Sequence, residues 1–202
     1  MAQSLKRVNP TDVQAYGTAA QGYFDSIYTA LTTLCSDVVG VHYFGTNAYQ
    51  FKYDAGELAE AFARGMAKDL GGLADGIRAT TSNIAGALGG QPISITVRGK
   101  EINAPTPQAD TGIQEVDVTA LTDLTTTVGT RFSEINDAMT GHKTRLENTD
   151  WKGDAKDGTV TLVAGWTRKA QSKATDAQTK LIDFINKQIE TVNAADTVPA
   201  QA

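Results

Sequence analysis

The sequence predicts an all-α protein: an antiparallel four-helix bundle built from two helical hairpins, with a short β-hairpin or an extended strap in the linker between them. Three observations carry this expectation. Prolines occur only at Pro10, Pro92, Pro105, Pro107 and Pro199, so two long proline-free stretches, Thr11 to Gln91 and Gln108 to Val198, flank a turn-rich middle. Within each stretch apolar residues recur at spacings of three and four, the period of a helix face. Finally, adding 108 to a position in the first stretch lands on its counterpart in the second.

The first helix starts at Asn9, whose side-chain oxygen can accept from free first-turn amides, with Pro10 pre-organised for the first helical position. Its stripe is Val13, Tyr16, Ala20, Phe24, Ile27, Leu31, Leu34 and Val38. A turn at Tyr43-Phe44-Gly45 leads to a second stripe: Phe51, Ala55, Leu58, Phe62, Met66, Leu70, Leu73, Ile77 and Ile84. Gly65, Gly71, Gly72 and Gly76 each cost this helix about 1 kcal/mol relative to alanine, so the expectation is a weak, kinked helix or a close approach through Gly72-x-x-x-Gly76. The third helix starts at Asp117, a cap residue like Asn9, and carries Leu121, Leu124, Val128, Phe132, Ile135, Met139 and Leu146. A second turn, Trp151-Lys152-Gly153, precedes Val163, Trp166, Ala170, Ala174, Ala177, Leu181, Ile185, Ile189 and Val192. Each aromatic-x-Gly turn begins 34 residues after its cap. The 108-residue offset pairs Val13 with Leu121, Phe24 with Phe132, Ile27 with Ile135, Leu73 with Leu181 and Ile77 with Ile185.

The expected organisation is a hairpin over 8–88, a linker over 89–115 and a second hairpin over 116–196, forming one integrated bundle. In the linker, Ile93, Ile95 and Val97 alternate with polar residues and Gly99-Lys100 offers a turn. Two readings follow. The segment is a strap that crosses between the hairpins, or it is an edge strand that recruits a partner by strand addition through Ile93, Ile95 and Val97.

Composition narrows the function classes. With 18 basic against 23 acidic residues, the net charge of −5 repels phosphate backbones and anionic headgroups, so nucleic acid is not an expected partner. No run reaches the ~18 apolar residues of a membrane span, and stable membrane insertion is not expected. The single cysteine, Cys35, allows no intramolecular disulfide. Nothing near the N-terminus combines basic residues, an apolar run and a small-residue cleavage site, so any export is expected to proceed without a cleaved leader.

Catalytic chemistry finds little support. The two histidines are His42 and His142. Cys35 and His42 sit seven residues apart, about 10 Å along a helix axis, too far for a thiolate pair. His142 falls in phase with the third helix's stripe and reads as a packed histidine. No Cys-x-x-Cys, His-x-x-x-His, phosphate loop or nucleophile elbow occurs, and carboxylate pairs such as Asp154 with Asp157 read as solvated helix starts. The expectation is a protein that is not an enzyme, with no metal and no cofactor.

A helix, a Trp-x-Gly turn and a second long helix, found twice, resemble the small Trp-x-Gly proteins of bacterial type VII secretion, the early-secreted-antigen family. The likeness covers residues 8–88 and 116–196. It implies hairpins that pair into an antiparallel four-helix bundle, as family members do in homodimers or heterodimers, so this chain resembles such a dimer fused into one polypeptide. The turn motif would be Tyr43, Gly45, Trp151 and Gly153, with Tyr43 standing where the family has tryptophan. Family substrates carry a Tyr-x-x-x-Asp/Glu signal after the last helix. Here every tyrosine lies at or before Tyr53, and Tyr53-Asp-Ala-Gly-Glu57 fits the letters only inside the predicted second helix. The resemblance implies a secreted interaction protein or an export partner. It would be cytoplasmic before export and extracellular or surface-bound after it, with secretion machinery or a co-secreted protein as its partner. No separate Trp-x-Gly partner would be required. The alternative from another class is a structural or scaffolding helical-bundle subunit of a surface or filament assembly.

Overall fold

Both cap residues start their helices as expected. The Asp12 amide donates to Asn9 Oδ1 at 3.3 Å, and the amides of Thr119 and Ala120 donate to Asp117 Oδ1 at 2.8 and 3.1 Å, satisfying first-turn donors that lack helical partners. The computed structural model describes residues 7–88, 91–97, 102–108, 112 and 115–196. Its four helices are α1 (Pro10–Gly40), α2 (Thr46–Leu88), α3 (Val118–Glu147) and α4 (Asp154–Asp196). Four two-residue strands complete it: β1 (Arg7–Val8), β2 (Tyr43–Phe44), β3 (Glu115–Val116) and β4 (Trp151–Lys152). The chain is an all-α four-helix bundle of two hairpins, α1 with α2 and α3 with α4. The 108-residue offset carries β1 onto β3, β2 onto β4, and α2 onto α4 residue for residue.

Helix packing divides into two compact units, and each draws on all four helices. The first takes α1 up to Thr29, α2 from Arg64, α3 from Glu134 and α4 up to Lys173. Its core includes Tyr16, Phe24, Ile27, Leu70, Ile77 and Met139, all buried. The second takes α1 from Ala30, α2 up to Ala63, α3 up to Ser133 and α4 from Ala174. There Leu31, Leu34, Phe51, Leu121, Phe132 and Leu181 are buried, and the Phe51 ring stacks on Phe184 with centroids 5.4 Å apart. Each such side chain stabilises the fold by about 1.5 to 3 kcal/mol before chain entropy is subtracted.

α2 buries the expected face at Phe51, Ala55, Met66, Leu70, Leu73 and Ile77, and departs from it at Leu58. Leu58, placed on the stripe by spacing, is 40% exposed, whereas Ala55, Ala59 and Ala63 are buried. These three alanines stand at i, i+4 and i+8 on one side of the helix, and spacing placed only Ala55 on the stripe. The glycines resolve individually. A methyl on Gly65, Gly71 or Gly72 would meet nothing within 4 Å, so these three sit against open space. Gly76 alone marks a close approach, since a methyl there would lie 2.8 Å from Leu162 Cδ2.

Of the two linker forms expected, the β-hairpin is not found among the described residues: 91–97 and 102–108 carry neither helix nor strand pairing. The turn expected at Gly99-Lys100 lies outside the described residues. In the first unit Ile93 and Ile95 are buried, and Ile93 seats on the α1 backbone at Gly17, where a Cβ would stand 2.8 Å from Ile93 Cβ and Cγ2. Gln21 accepts from the Thr96 amide at 2.7 Å and donates to the Thr96 carbonyl at 3.0 Å, so one helical side chain imitates a neighbouring strand. In the second unit Ile102 is buried, and the Ala104 amide donates to Glu60 Oε2 at 2.6 Å.

Helix propensity and strap seating predict opposite signs for similar substitutions. Gly65→Ala and Gly72→Ala should each raise the unfolding free energy by about 1 kcal/mol, while Gly17→Ala should lower it by about 1 kcal/mol or more. Urea denaturation of the three variants checks this, and a stabilised Gly17→Ala would contradict the seating of the strap on α1.

Candidate functional site

The aromatic-x-Gly turns are the candidate site, and each is built the same way. After two residues at the first turn and three at the second, the chain leaves the helix into a two-residue strand, and a glycine turns it into the next helix. Gly45 has φ 113° and Gly153 φ 119°, a conformation that a Cβ strains, which is why glycine ends both turns. The short strand then pairs antiparallel with the lead-in to the other hairpin. In the first unit β1 pairs with β4, Val8 opposite Trp151 and Arg7 opposite Lys152. In the second β2 pairs with β3, Tyr43 opposite Val116 and Phe44 opposite Glu115. The turn of each hairpin is thus tied to the start of its partner.

Around Trp151 the polar contacts form a connected network. The Asn9 amide donates to the Asp150 carbonyl at 2.9 Å, and the Asp150 amide donates to Asp12 Oδ2 at 2.5 Å. Arg145 donates to the other Asp12 oxygen at 2.7 Å, and Arg7 pairs with Asp150 at 2.7 Å. The Asp150 amide, and after it Arg145, hold the Asp12 carboxyl below its usual range. Lys156 donates its ammonium to the carbonyls of Glu147 and Thr149 at 2.8 and 2.7 Å, closing the C-terminal end of α3. Trp151 is 2% exposed. An indole presented to a partner is therefore not what this turn offers: the ring packs inward because the β1–β4 register puts it opposite Val8.

Tyr43, in the tryptophan position, is also buried. Its ring lies 5.8 Å from that of Phe51, and its hydroxyl accepts from Gln188 Nε2 at 2.8 Å. Burial raises the Tyr43 hydroxyl above its ordinary range, partly offset by the Gln188 bond. A phenol fits here because its oxygen finds a donor. The first unit's Arg7–Asp150 pair has a counterpart of reversed sign: the equivalent positions hold Glu115 and His42, paired at 3.1 Å.

The remaining residues singled out by sequence fall in separate places. Cys35 is buried on α1, whereas His42 lies beyond the end of that helix and is exposed, so the two share no face. Ile93 and Ile95 are occupied by the first unit's own packing, and Val97 is half-buried; both Thr96 backbone groups are taken, which leaves little free edge for strand addition. Tyr53 and Glu57 are exposed one turn apart on α2, with Tyr53 47% exposed. Asp154 and Asp157 stand in the first turn of α4, where the helix dipole favours negative charge. His142 is fully buried in the first unit among Tyr16, Tyr23 and Phe24. Its Nε2 shares a hydrogen bond with Tyr16 Oη at 3.0 Å, and its Nδ1 has no hydrogen-bond partner. Desolvation pulls the imidazole down to about 4. Among the described residues no group of three or more histidine, cysteine, aspartate or glutamate side chains could hold a metal ion, and no helix is long and apolar enough to cross a membrane.

One buried charge escaped the sequence reading. Lys52 is 7% exposed, next to Phe51 on the buried side of α2, with its ammonium 4.9 Å from the centroid of the Phe44 ring. A lysine at three residues' spacing from the buried Ala55 is the pattern that could have flagged it. Comparison with known proteins found no matching family model, no matching curated protein and no matching solved structure.

Two outcomes follow from this geometry. Trp151→Ala should cost about 3 to 5 kcal/mol of stability, and Gly153→Val at least about 1 kcal/mol, both measured by chemical denaturation. For His142, the folded value lies below the ordinary 6.5, so the neutral imidazole is the form that folds. Its stabilising contribution is complete above pH 6.5 and is lost as pH falls toward about 4, a loss of about 3 kcal/mol. His142→Gln should remove that slope, so the two unfolding free energies should converge between pH 7 and 4.5; parallel curves would exclude a buried neutral histidine.

Proposed function

We propose that this chain is a non-enzymatic interaction protein exported through a type VII secretion system, acting as a secreted effector of protein contacts or as an export partner for another substrate. The observation that carries this reading is the reciprocal tie between hairpins, in which Trp151 pairs with Val8 and Tyr43 with Val116. In the family that the sequence resembles, two separate hairpins supply the paired helices and turns; here one chain supplies both. A self-paired bundle needs no second Trp-x-Gly protein to cover its apolar faces, and its tethering replaces a bimolecular association with an intramolecular one. Partner contacts then fall on the outer surface, where Tyr49, Tyr53 and Leu58 of α2 stand exposed.

The test is secretion in a host with a type VII system, with and without its membrane ATPase, followed by intact-mass measurement of the protein in the medium. The expected outcome is an untrimmed chain outside the cells only when the ATPase is present. Retention inside cells that hold the ATPase and the neighbouring genes would replace export with the structural-subunit reading.

A further inference from the structure

The two hairpins treat an equivalent problem differently at their turns. In the second hairpin the lysine near the turn, Lys156, spends its ammonium on the Glu147 carbonyl that ends α3 and on the Thr149 carbonyl beyond it. In the first hairpin the lysine near the turn, Lys52, is buried deeper and makes no hydrogen bond or ion pair among the described residues. Its ammonium stands over the face of Phe44, a cation–π interaction worth roughly 0.5 to 2 kcal/mol, which does not neutralise a desolvated charge. Three carboxylates of the second unit are engaged elsewhere: Asp37 pairs with Arg131 at 2.8 Å, Glu115 with His42, and Glu60 accepts from the Ala104 amide. The C-terminal residues of α1 lie close by, and their partial charge of about half an electron offsets the ammonium only in part. Burial lowers the Lys52 pKa, as expected for an ammonium without a counter-ion.

Lys52 lines a pocket of about 300 Å³ in the second unit. Val39, Val41, Phe44 and Pro105 form apolar walls, and Thr106 and Gln108 add neutral polar groups. This volume is at the small end of the ~300–1,000 Å³ range of small-molecule sites. We propose that this pocket binds a small monocarboxylate, whose charge pairs with the Lys52 ammonium while a short apolar body packs on Val39, Val41 and Pro105. A free organic acid and the C-terminal carboxylate of a peptide present the same chemistry to Lys52.

The full chain is titrated with benzoate and, separately, with N-acetyl-phenylalanine, each followed by nuclear magnetic resonance and calorimetry. Saturable binding of benzoate identifies a free acid as the ligand type, and preference for N-acetyl-phenylalanine identifies a chain terminus; either supports the site. Lys52→Met, which keeps the apolar stem and removes the charge, should weaken binding at least about tenfold, whereas Lys68→Met on the exposed face of the same helix should not. Benzamide, tested on the unaltered protein, isolates the charge without depending on any variant and should not bind. The proposal is overturned by no saturation with either acid up to about 50 mM, by equal affinity for benzamide, or by unchanged affinity in a folded Lys52→Met.

Discussion

Two strand pairs, each two residues long, decide how this protein is assembled. A lone two-stranded ladder is at best marginally stable in water, and a few backbone hydrogen bonds add about 1 kcal/mol each. Burial of the helix faces supplies far more, since each hairpin on its own would leave its stripe in water. The strands therefore contribute little to how strongly the hairpins associate. They contribute the register, because Val8 opposite Trp151 and Val116 opposite Tyr43 allow one placement of each turn against each lead-in. The positive-φ glycines at 45 and 153 make that placement accessible by releasing the chain into the next helix directly after the strand.

The repeat is symmetric in backbone and asymmetric in charge. Arg7 faces Asp150 at one tie, and Glu115 faces His42 at the other. Had the first hairpin paired with a copy of itself, Arg7 would face His42; had the second done so, Glu115 would face Asp150. Both self-pairings lose an attraction, and the second sets two carboxylates together. Each surface pair is worth only about 0 to 1 kcal/mol, so the effect on stability is small. As a difference between right and wrong pairing it acts twice and in the same direction, which is how modest charges produce specificity.

Polar groups in the interior show the same division between what the repeat shares and what each half does alone. His142 is a buried ring that shares one hydrogen bond with Tyr16, and desolvation disfavours its charged form. Lys52 is the opposite case, a buried charge with no ion pair among the described residues. Neither position has a like residue in the other hairpin: Leu34 corresponds to His142, and Val160 to Lys52. Features that break a repeat are where the two halves stop serving only the shared core.

Much of this architecture was legible from residue order. Caps at Asn9 and Asp117, glycines after aromatic residues and apolar spacing act over a few residues, and such local rules survive into the fold, so helix number, helix starts and both turns could be read directly. The 108-residue offset added that the two halves pack alike. What could not be read was every feature set by contact between distant segments. On α2, Ala59 and Ala63 are buried where Leu58 is exposed, and small side chains weigh little in a hydrophobic pattern. Trp151 lies inside because β1 arrives from the other hairpin to cover it, a pairing that residue order does not show. Ile93 and Ile95 alternate like a strand, yet pack on Gly17 and Gln21 of α1, since period-two burial needs only one apolar face beneath it and no ladder beside it. The burial of Lys52 also depends on tertiary structure, because its neighbours at Val39, Val41 and Pro105 come from segments distant in the chain.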